Sequence, residues 1–339
     1  MKRFAPVAIP GVLGALLTQS GCANPSISVV DPTGPVGRAQ LNLIYLATGI
    51  MTLVTVVVAV IYIYVVFRFR ERPGQTHIPE QVEGSKKLEI LWTVIPIVLL
   101  VILAVPTITT TLNIDRKPAP DDAIRINVVG YQYWWGFEYP GAGVTTANEV
   151  HIPTGQKVKF IMKAHDVIHA FWVPSLGGKQ DLSPGKNTRL ILQADKPGVY
   201  EGKCTELCGA GHALMNFRVI AHPPDEFDAW IRSRKKPDSR GKSVMAREGQ
   251  KLVAQNCIGC HAIRNAGYRV LGKKGPDLTA FSERTRIAGV IDNNDKNLTA
   301  WLKNPHAVKP GNRMPAFDHL SDKQIRAIVR YLRELKGSS

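Results

Sequence analysis

Two long apolar runs constrain the fold of this chain more than any other feature. Residues 41–67 are free of charged side chains, and residues 88–112 carry only Glu89, near their start. Each run exceeds the roughly 20 residues that a helix needs to cross the hydrocarbon core of a bilayer. A buried helical hairpin in a soluble core is the alternative, but two charge-poor runs of this length favour a membrane. We therefore predict two transmembrane helices.

Basic residues indicate which side of the membrane holds the loop between these helices. Arg38 is the only basic residue in positions 23–40, whereas the loop and its borders contain Arg68, Arg70, Arg72, Lys86 and Lys87. Lys and Arg concentrate in cytoplasmic loops, so we predict that this loop is inside. Everything after about residue 115 then lies on the periplasmic or extracellular side of a bacterial cytoplasmic membrane.

The first 22 residues have the organisation of an export signal. A charged start, Met1-Lys2-Arg3, precedes an apolar run that is too short to span a bilayer and a small-residue cleavage site. Ser20-Gly21-Cys22 resembles the end of a bacterial lipoprotein signal, which predicts a lipidated Cys22. Gln19 stands where that motif prefers an aliphatic residue, so ordinary cleavage nearby is the alternative.

A twelve-residue segment after the membrane helices concentrates metal-binding side chains. It reads Cys204-Thr-Glu-Leu-Cys208-Gly-Ala-Gly-His212-Ala-Leu-Met215, and His169 lies upstream. Thiolate and thioether sulfurs suit Cu(I), and imidazole suits both copper states. Two cysteines four residues apart can bridge two copper ions, with one histidine terminal on each. Zinc is the rival metal, because two cysteines and two histidines are also a zinc set, but the thioether is a poor zinc ligand.

A second redox signature follows at Cys257-Ile-Gly-Cys260-His261. This is the attachment pattern of c-type haem, in which the two thiols form thioethers and the histidine binds iron. Met314 is the only methionine beyond the motif and the candidate sixth ligand; the alternatives are His306 and His319. Two short-range disulfides are the competing interpretation of the four cysteines, although such small loops constrain an unfolded chain weakly.

The sequence between and around these motifs predicts two different soluble domains. Residues 122–222 show period-two alternation with Gly and Pro turns, which favours an all-β Greek-key sandwich or barrel. Residues 244–336 are predicted to be all-α, with a final helix opened by the capping box Ser321-x-x-Gln324.

The segment at 223–243 reads as a basic, solvated linker that can touch anionic lipid. From residue 223 onward there are 23 Lys and Arg against 12 Asp and Glu. Export argues against nucleic acid as the partner of this basic region.

The metal-binding segments resemble subunit II of haem–copper cytochrome c oxidases. The resemblance rests on the stretches 166–174 and 198–215, and it implies a cupredoxin-like domain with a binuclear Cu-A centre. In that pattern Cys204 and Cys208 bridge the coppers, and Glu206 coordinates through its main-chain carbonyl. The same Glu206 side chain binds a magnesium ion shared with subunit I. The remaining ligands implied are the terminal histidines His169 and His212 and the weak ligand Met215, with His165 as a near neighbour that could be mistaken for His169.

Two other positions match the family pattern. The aromatic segment 130–139 corresponds to the region that receives electrons from soluble cytochrome c, with Tyr133 where the family has tryptophan, followed by Trp134 and Trp135. That departure fits a donor built into the chain, and core packing is the alternative role for these rings. Glu89 matches an acid at the mouth of a proton channel; an interfacial anchor is the alternative.

The C-terminal region resembles class I cytochromes c, and residues 26–336 as a whole resemble subunit II of a caa3-type oxidase. Asn312-Arg-Met-Pro-Ala-Phe317 looks like the axial methionine loop, and Gly275-Pro276-Asp-Leu278 like the segment whose proline carbonyl accepts a hydrogen bond from the proximal histidine. The implied architecture is a transmembrane hairpin, a cupredoxin-like domain and a cytochrome c domain.

This resemblance implies electron transfer from an external donor to haem c, then to Cu-A, then to subunit I. That partner carries haem a and the haem–copper site, where dioxygen reduction is coupled to proton translocation. Subunit III and a donor such as a cytochrome c or a quinol–cytochrome c reductase are further implied partners. The alternatives are the Cu-A subunit of a nitric oxide reductase and a membrane-tethered carrier without a catalytic partner. A quinol-oxidase subunit that has lost its copper is excluded by the complete ligand set.

Overall fold

The computed structural model describes most of the chain after the predicted export signal. The described residues are 27–71, 73–74, 80–81, 83–116, 123–267 and 274–338. The predicted signal peptide and Cys22 lie outside them, so the lipidation of Cys22 stays a prediction. The described part of the chain forms a helical pair, a β-sandwich and a helical domain, which confirms the predicted fold class.

The two predicted membrane spans are long helices. Helix α1 spans Pro35–Arg68 and helix α2 spans Lys86–Arg116. The most apolar stretch of each has no buried residue in the isolated chain, so these side chains need a lipid or protein neighbour. Hydroxyls within α2 donate to carbonyls one turn back, as Thr107 does to Leu103 O at 2.7 Å. Such bonds satisfy polar groups that an apolar environment would otherwise leave unpaired.

Ten strands form the sandwich in two five-stranded sheets. The sheet orders are β3-β2-β1-β5-β8 and β4-β10-β9-β6-β7. Residues alternate between buried and more exposed positions along β1, β5 and β10, as the period of a half-buried strand requires. The strands are β1 Arg125–Tyr131, β2 Trp134–Tyr139, β3 Val144–Ala147, β4 Glu149–Pro153, β5 Val158–Ala164, β6 His169–Trp172, β7 Lys179–Leu182, β8 Thr188–Leu192, β9 Gly198–Cys204 and β10 Asn216–His222.

Aromatic rings from both sheets fill the core of the sandwich. Phe160 of the first sheet lies 5.6 Å from Phe171 of the second, between ring centroids. Phe171 stacks on Phe217 at 4.3 Å, and all three side chains are almost fully buried. Burying each such ring contributes about 2–3 kcal/mol, so the sandwich holds the loops at its end in fixed positions.

The segment predicted as a solvated linker differs in the structure. Helix α3 occupies Pro224–Lys235, with a proline at its start and acidic residues in its first turn. Phe227 is buried and Trp230 lies 5.4 Å from the ring of Tyr139, so one face of the helix packs on the sandwich. Arg232 and Lys235 are exposed, whereas Arg234 is buried with its guanidinium 5.3 Å from the centroid of the Trp230 ring. The many charged residues of this segment masked its helical spacing in the sequence.

The C-terminal domain is helical, as predicted. Its helices are α4 Val244–Asn256, α5 Asp295–Lys303, the short α6 Pro305–Val308 and α7 Asp322–Glu334, with a small hairpin of β11 Arg286–Ile287 and β12 Ile291–Asp292. The capping box between Ser321 and Gln324 is present. Helices α4 and α7 cross at Gly249, where a Cβ atom would lie 1.9 Å from the carbonyl oxygen of Ala327, so only glycine permits this approach.

Candidate functional site

The sulfur and imidazole side chains expected to bind copper converge at one end of the sandwich. His169 begins β6, Cys204 ends β9, and the loop to β10 brings Cys208, His212 and Met215 to the same place. The two thiol sulfurs are 3.9 Å apart. Cys204 Sγ lies 3.8 Å from His169 Nδ1, and Cys208 Sγ lies 3.6 Å from His212 Nδ1 and 3.7 Å from Met215 Sδ.

These distances decide between the interpretations left open by the sequence. A disulfide needs sulfurs about 2.05 Å apart, so Cys204 and Cys208 are free thiols, as are Cys257 and Cys260. Burial and the adjacent Cys204 raise the pKa of the Cys208 thiol to about 12. A metal ion that binds thiolates would displace these protons. Two thiols, two imidazoles and a thioether form a soft donor set, which fits copper.

The His169 ring is oriented by a group that the sequence reasoning did not assign. Asp166 Oδ1 lies 2.8 Å from His169 Nε2, which leaves Nδ1 directed toward the thiols. Burial alone would raise the pKa of Asp166, but hydrogen bonds from His169 and from the backbone of Gln132 outweigh it and lower that pKa. Metal-binding histidines usually donate their second nitrogen to such a partner. The available signal was an acid three residues before the ligand.

The remaining residues of the predicted copper site also have definite positions. The main-chain oxygen of Glu206 lies 3.3 Å from Cys204 Sγ, while its side chain is exposed. His165 is exposed and packs on Tyr131 at 4.7 Å, away from the thiols. The structure therefore brings His169, and not His165, to the cluster.

The haem motif opens into a large cavity in the C-terminal domain. The cavity has a volume of about 550 Å³ and is lined by Cys257, Cys260, His261 and Met314 among others. His261 Nδ1 donates to Pro276 O at 2.7 Å, as the resemblance implied. Cavities of several hundred Å³ that combine apolar walls with a few polar groups suit cofactors, so the space and its thiols fit haem c. The alternative ligands His306 and His319 are exposed and do not line this cavity.

The haem cavity and the thiol cluster lie on two sides of one contact between the domains. Tyr133 is 8% exposed and lines the cavity, although it belongs to the sandwich. A Cβ atom on Gly211 would lie 2.5 Å from the ring of Tyr133 and 3.0 Å from Pro310 O, so the loop between Cys208 and His212 touches the loop that carries Met314. Glycine at position 211 makes this approach possible.

A hydrogen-bonded chain crosses the same contact. Gln132 Nε2 donates to the carbonyl oxygen of Cys208 at 2.6 Å, and Arg313 donates to Gln132 Oε1 at 3.4 Å. Arg313 precedes Met314 in the chain, so both loops are joined to Gln132. The sequence carries no local signal that Gln132 bridges the two loops, because the bond between Arg313 and Gln132 connects residues from separate domains.

The other predicted residues are placed as follows. Trp134 is half-buried, stacks on Tyr131 at 4.2 Å and lines the haem cavity. Trp135 is fully buried and lies edge-on to His169 at 6.0 Å, so it packs in the core beside the thiol cluster. Glu89 lies in the first turn of α2, at the end of the membrane helix that the interhelical loop enters.

Comparison with family models divides the chain into three matched regions. Residues 27–110 match the transmembrane domain of cytochrome c oxidase subunit II, and residues 142–221 match its periplasmic domain. Residues 246–336 match cytochrome c. These domains imply Cu-A copper in the sandwich and haem c in the helical domain, and they describe a two-pass membrane protein with a periplasmic domain.

The curated cytochrome c oxidase relatives cover almost the full chain. Cytochrome c oxidase subunit 2 of Alkalihalophilus pseudofirmus is 44% identical over 99% of this chain and 97% of the relative. The protein of the same name from Bacillus subtilis is 42% identical over 100% of this chain and 99% of the relative. Quinol oxidase subunit 2 of Bacillus cereus is 33% identical over 68% of this chain and 80% of the relative. The chain belongs to the cytochrome c oxidase subunit II family, in the form that carries a cytochrome c domain behind its Cu-A domain.

Proposed function

We propose that the side chains gathered at the end of the sandwich are the ligands of the Cu-A centre of this oxidase subunit. Cys204, Cys208, His169 and His212 would hold the copper ions, and Met215 and the Glu206 carbonyl would complete the set. The observation that carries the proposal is the convergence of the donor atoms, with each thiol sulfur within 4 Å of the other and of one imidazole nitrogen. The thioether of Met215 favours copper over zinc in this donor set.

In the same proposal the helical domain would hold haem c through Cys257 and Cys260, with His261 and Met314 as its iron ligands. When bound, the copper pair and the haem supply one-electron redox chemistry. The surrounding residues orient these groups and exclude water: Pro276 fixes the proximal ring, and Tyr133 closes the cavity on the side of the sandwich. A haem bound there would supply electrons to the sandwich from within the same chain.

The exposed surface beside the copper ligands supports contact with subunit I. Leu207 is 80% exposed, and Val167 and Ile168 are 37% and 47% exposed, so apolar side chains surround the site where the chain meets solvent. Glu206 projects its carboxylate from the same loop. We infer that Glu206 shares a magnesium ion with subunit I, because carboxylates are preferred magnesium ligands and this one is unused by the thiol cluster.

The two membrane helices support a location in the bacterial cytoplasmic membrane. The further partners that we propose are subunit III and, as electron donor, a cytochrome c or a quinol–cytochrome c reductase. Glu89, at the cytoplasmic end of α2, is proposed to face the mouth of a proton channel in the assembled complex. The basic surface of the helical domain is a suitable electrostatic landing site for an acidic donor.

The extent of the match to cytochrome c oxidase relatives favours this function over the other candidates. The quinol oxidase relative matches about two thirds of the chain, whereas the cytochrome c oxidase relatives match the cytochrome domain as well. A nitric oxide reductase subunit or a free membrane-tethered carrier would share the copper ligands, but the named relatives belong to oxidases.

Metal analysis of the purified subunit tests the proposal. The subunit should contain two coppers and one haem iron, and Cys208→Ser should abolish the mixed-valence copper signal in electron paramagnetic resonance while leaving the haem c absorption unchanged. The matched control is Ser183→Ala, a change of similar size outside the cluster. Zinc in place of copper, in protein matured in its native host, would overturn the assignment.

A further inference from the structure

Three charged side chains form a row across the sheet of the sandwich that meets the helical domain. Arg218 lies on β10, and its register partners are Glu149 on β4 and Glu201 on β9. Register partners on adjacent strands point to the same face of a sheet, so the three side chains are neighbours. Glu149 is only 4% exposed. A carboxylate this buried needs hydrogen-bond or ion-pair partners. Glu149 is not among the proposed copper ligands, so the copper site does not explain its burial.

The helical domain supplies the partners of Glu149. The backbone N–H of Thr285 donates to Glu149 Oε1 at 2.8 Å, its hydroxyl donates to the same oxygen at 2.5 Å, and the N–H of Arg286 donates at 3.1 Å. Arg218 in turn donates to the Thr285 hydroxyl at 2.7 Å. One carboxylate oxygen therefore accepts three hydrogen bonds from the other domain, and bonds to a charged acceptor are about twice as strong as neutral ones.

Further contacts extend the same interface. The Arg286 guanidinium lies 3.4 Å from Glu201 Oε1, which Arg218 also contacts at 2.9 Å. At the edge of the interface Arg234 of α3 pairs with Glu283 of the helical domain at 2.5 Å. These pairs alternate in sign across the interface, so they define one relative orientation of the domains. Glu149 is the most buried charged group among these contacts, at 4% exposed, and one of its oxygens accepts three hydrogen bonds from the other domain.

We propose that Glu149 is a positioning residue that locks the cytochrome domain against the Cu-A domain at a fixed separation. Glu149 acts through Thr285 and Arg286 and has no contact with the proposed metal or haem ligands among the described residues. The rate of electron tunnelling falls steeply with distance. A locked contact would fix the distance between the two redox sites, and therefore the rate of transfer between them. A domain held only by its linker would have to dock before each transfer. This inference rests on the proposed function for its kinetic consequence, but the contact itself does not.

Hydrogen exchange in the assembled complex tests the contact directly. In Glu149→Ala the backbone amides of Thr285 and Arg286 lose their acceptor, and their exchange should become about tenfold faster or more. Glu149→Gln should show a smaller increase, because its amide oxygen still accepts. Glu138→Ala is the matched control, since Glu138 is an exposed glutamate of the same domain whose partner is Asn127. Unchanged protection at both amides in Glu149→Ala would overturn the proposal.

Electron transfer between the domains supplies the second readout. After rapid photoreduction of the haem domain, reduction of Cu-A should be independent of solvent viscosity in the wild type and in Glu138→Ala. In Glu149→Ala it should slow at least about threefold and become viscosity-dependent, because docking then precedes transfer. A Glu149→Ala complex with normal copper and haem spectra and an unchanged, viscosity-independent rate would show that Glu149 does not position the domain.

A second variant keeps the test decisive if Glu149→Ala fails to assemble. Thr285→Val removes one of the three donors and leaves both backbone amides in place, so an effect in the direction of Glu149→Ala but smaller is expected on exchange and viscosity dependence. No effect on either would count against the proposal. Failure of the proposed function is seen separately, as the absence of copper or haem spectra in the wild type, in which case the exchange measurement still reports on the contact.

Discussion

One ring nitrogen of His261 is hydrogen-bonded to the protein, and the other is available to bind a metal. Its Nδ1 donates to Pro276 O, so Nε2 is the atom left for iron. Burial lowers the pKa of His261, which keeps the imidazole in the neutral form that binds metals. Met314 lines the same cavity. A hydrogen bond from Met314 N to Asn312 Oδ1 at 2.9 Å holds the loop that carries this proposed iron ligand.

Substitution of the axial methionine is the first prediction at this scale. Met314→Ala should remove the methionine–iron charge-transfer absorption and lower the haem potential, because a thioether favours ferrous iron. The measurement is the absorption spectrum together with a redox titration of the full complex. His319→Ala, an exposed histidine of the same domain, should leave both unchanged. A normal spectrum in Met314→Ala would contradict the assignment and direct the search to His306 or His319.

Individual ligands could be predicted from the sequence because their chemistry demands fixed residue types at short spacings. The Cys204–Met215 segment spans twelve residues and the Cys257–His261 motif spans five. Partners from distant segments could not be predicted in this way. Gln132 meets the Cys208 carbonyl across 76 positions of sequence, and nothing near Gln132 marks it as a bridge.

Helix α3 depends on a pair of histidines at its contact with the sandwich. His151 Nδ1 lies 2.7 Å from His222 Nε2, and the His151 ring stacks on Trp230 at 4.1 Å. Burial, aided by His222 and Arg234, lowers the pKa of His151 far below 6.5. The other titratable groups at this contact are Glu226 of α3 and Tyr139 of β2, whose hydroxyl bonds the His151 backbone.

Acid should therefore weaken this element, which is the second prediction. Because the folded pKa of His151 is depressed, the unfolded chain binds more protons as the pH falls below about 6.5, and stability is lost in that direction. His151→Phe keeps the ring but removes the titration. The fall in urea midpoint between about pH 7.5 and pH 5.5 should be smaller in the variant than in the wild type. Equal falls in both proteins would show that His151 does not govern the acid response.

The elements were predictable where hydrophobic period and length were decisive. Both membrane helices, the alternating strands and the capped final helix follow from local patterns, and each is present. Helix α3 was missed because its apolar residues, Phe227, Trp230 and Ile231, are few and stand among acidic and basic residues. Its stability comes from packing on the sandwich, and tertiary packing leaves only a weak mark on a twelve-residue sequence.

At the scale of the whole molecule, fusion replaces an encounter between two proteins by a contact within one chain. The contact buries Glu149 and Tyr133, and it joins residues more than a hundred positions apart, so no local sequence pattern could reveal it. Because no collision is required, transfer from haem c to Cu-A should be independent of protein concentration and only weakly dependent on salt. A free donor would show the strong salt dependence of charged encounters.

Truncation provides the third prediction. Loss of residues 243–339 should leave the Cu-A site assembled and reducible by small mediators, but oxidation of the natural donor should slow strongly. Tyr133, newly exposed, lacks the indole that the family uses to accept electrons. Stopped-flow reduction of Cu-A across a range of salt, in full-length and truncated complexes, measures both effects. Full-rate turnover of the truncated complex with its physiological donor would show that the cytochrome domain is not the obligatory route.

The covered ring of Tyr133 also bears on stoichiometry in the cell. A surface that is always occupied by part of the same polypeptide cannot be saturated, starved or blocked by a competing carrier. Each copy of the subunit is made with one cytochrome, in a ratio that gene expression cannot alter. The number of cytochromes that face the copper site then rises in step with the number of assembled complexes.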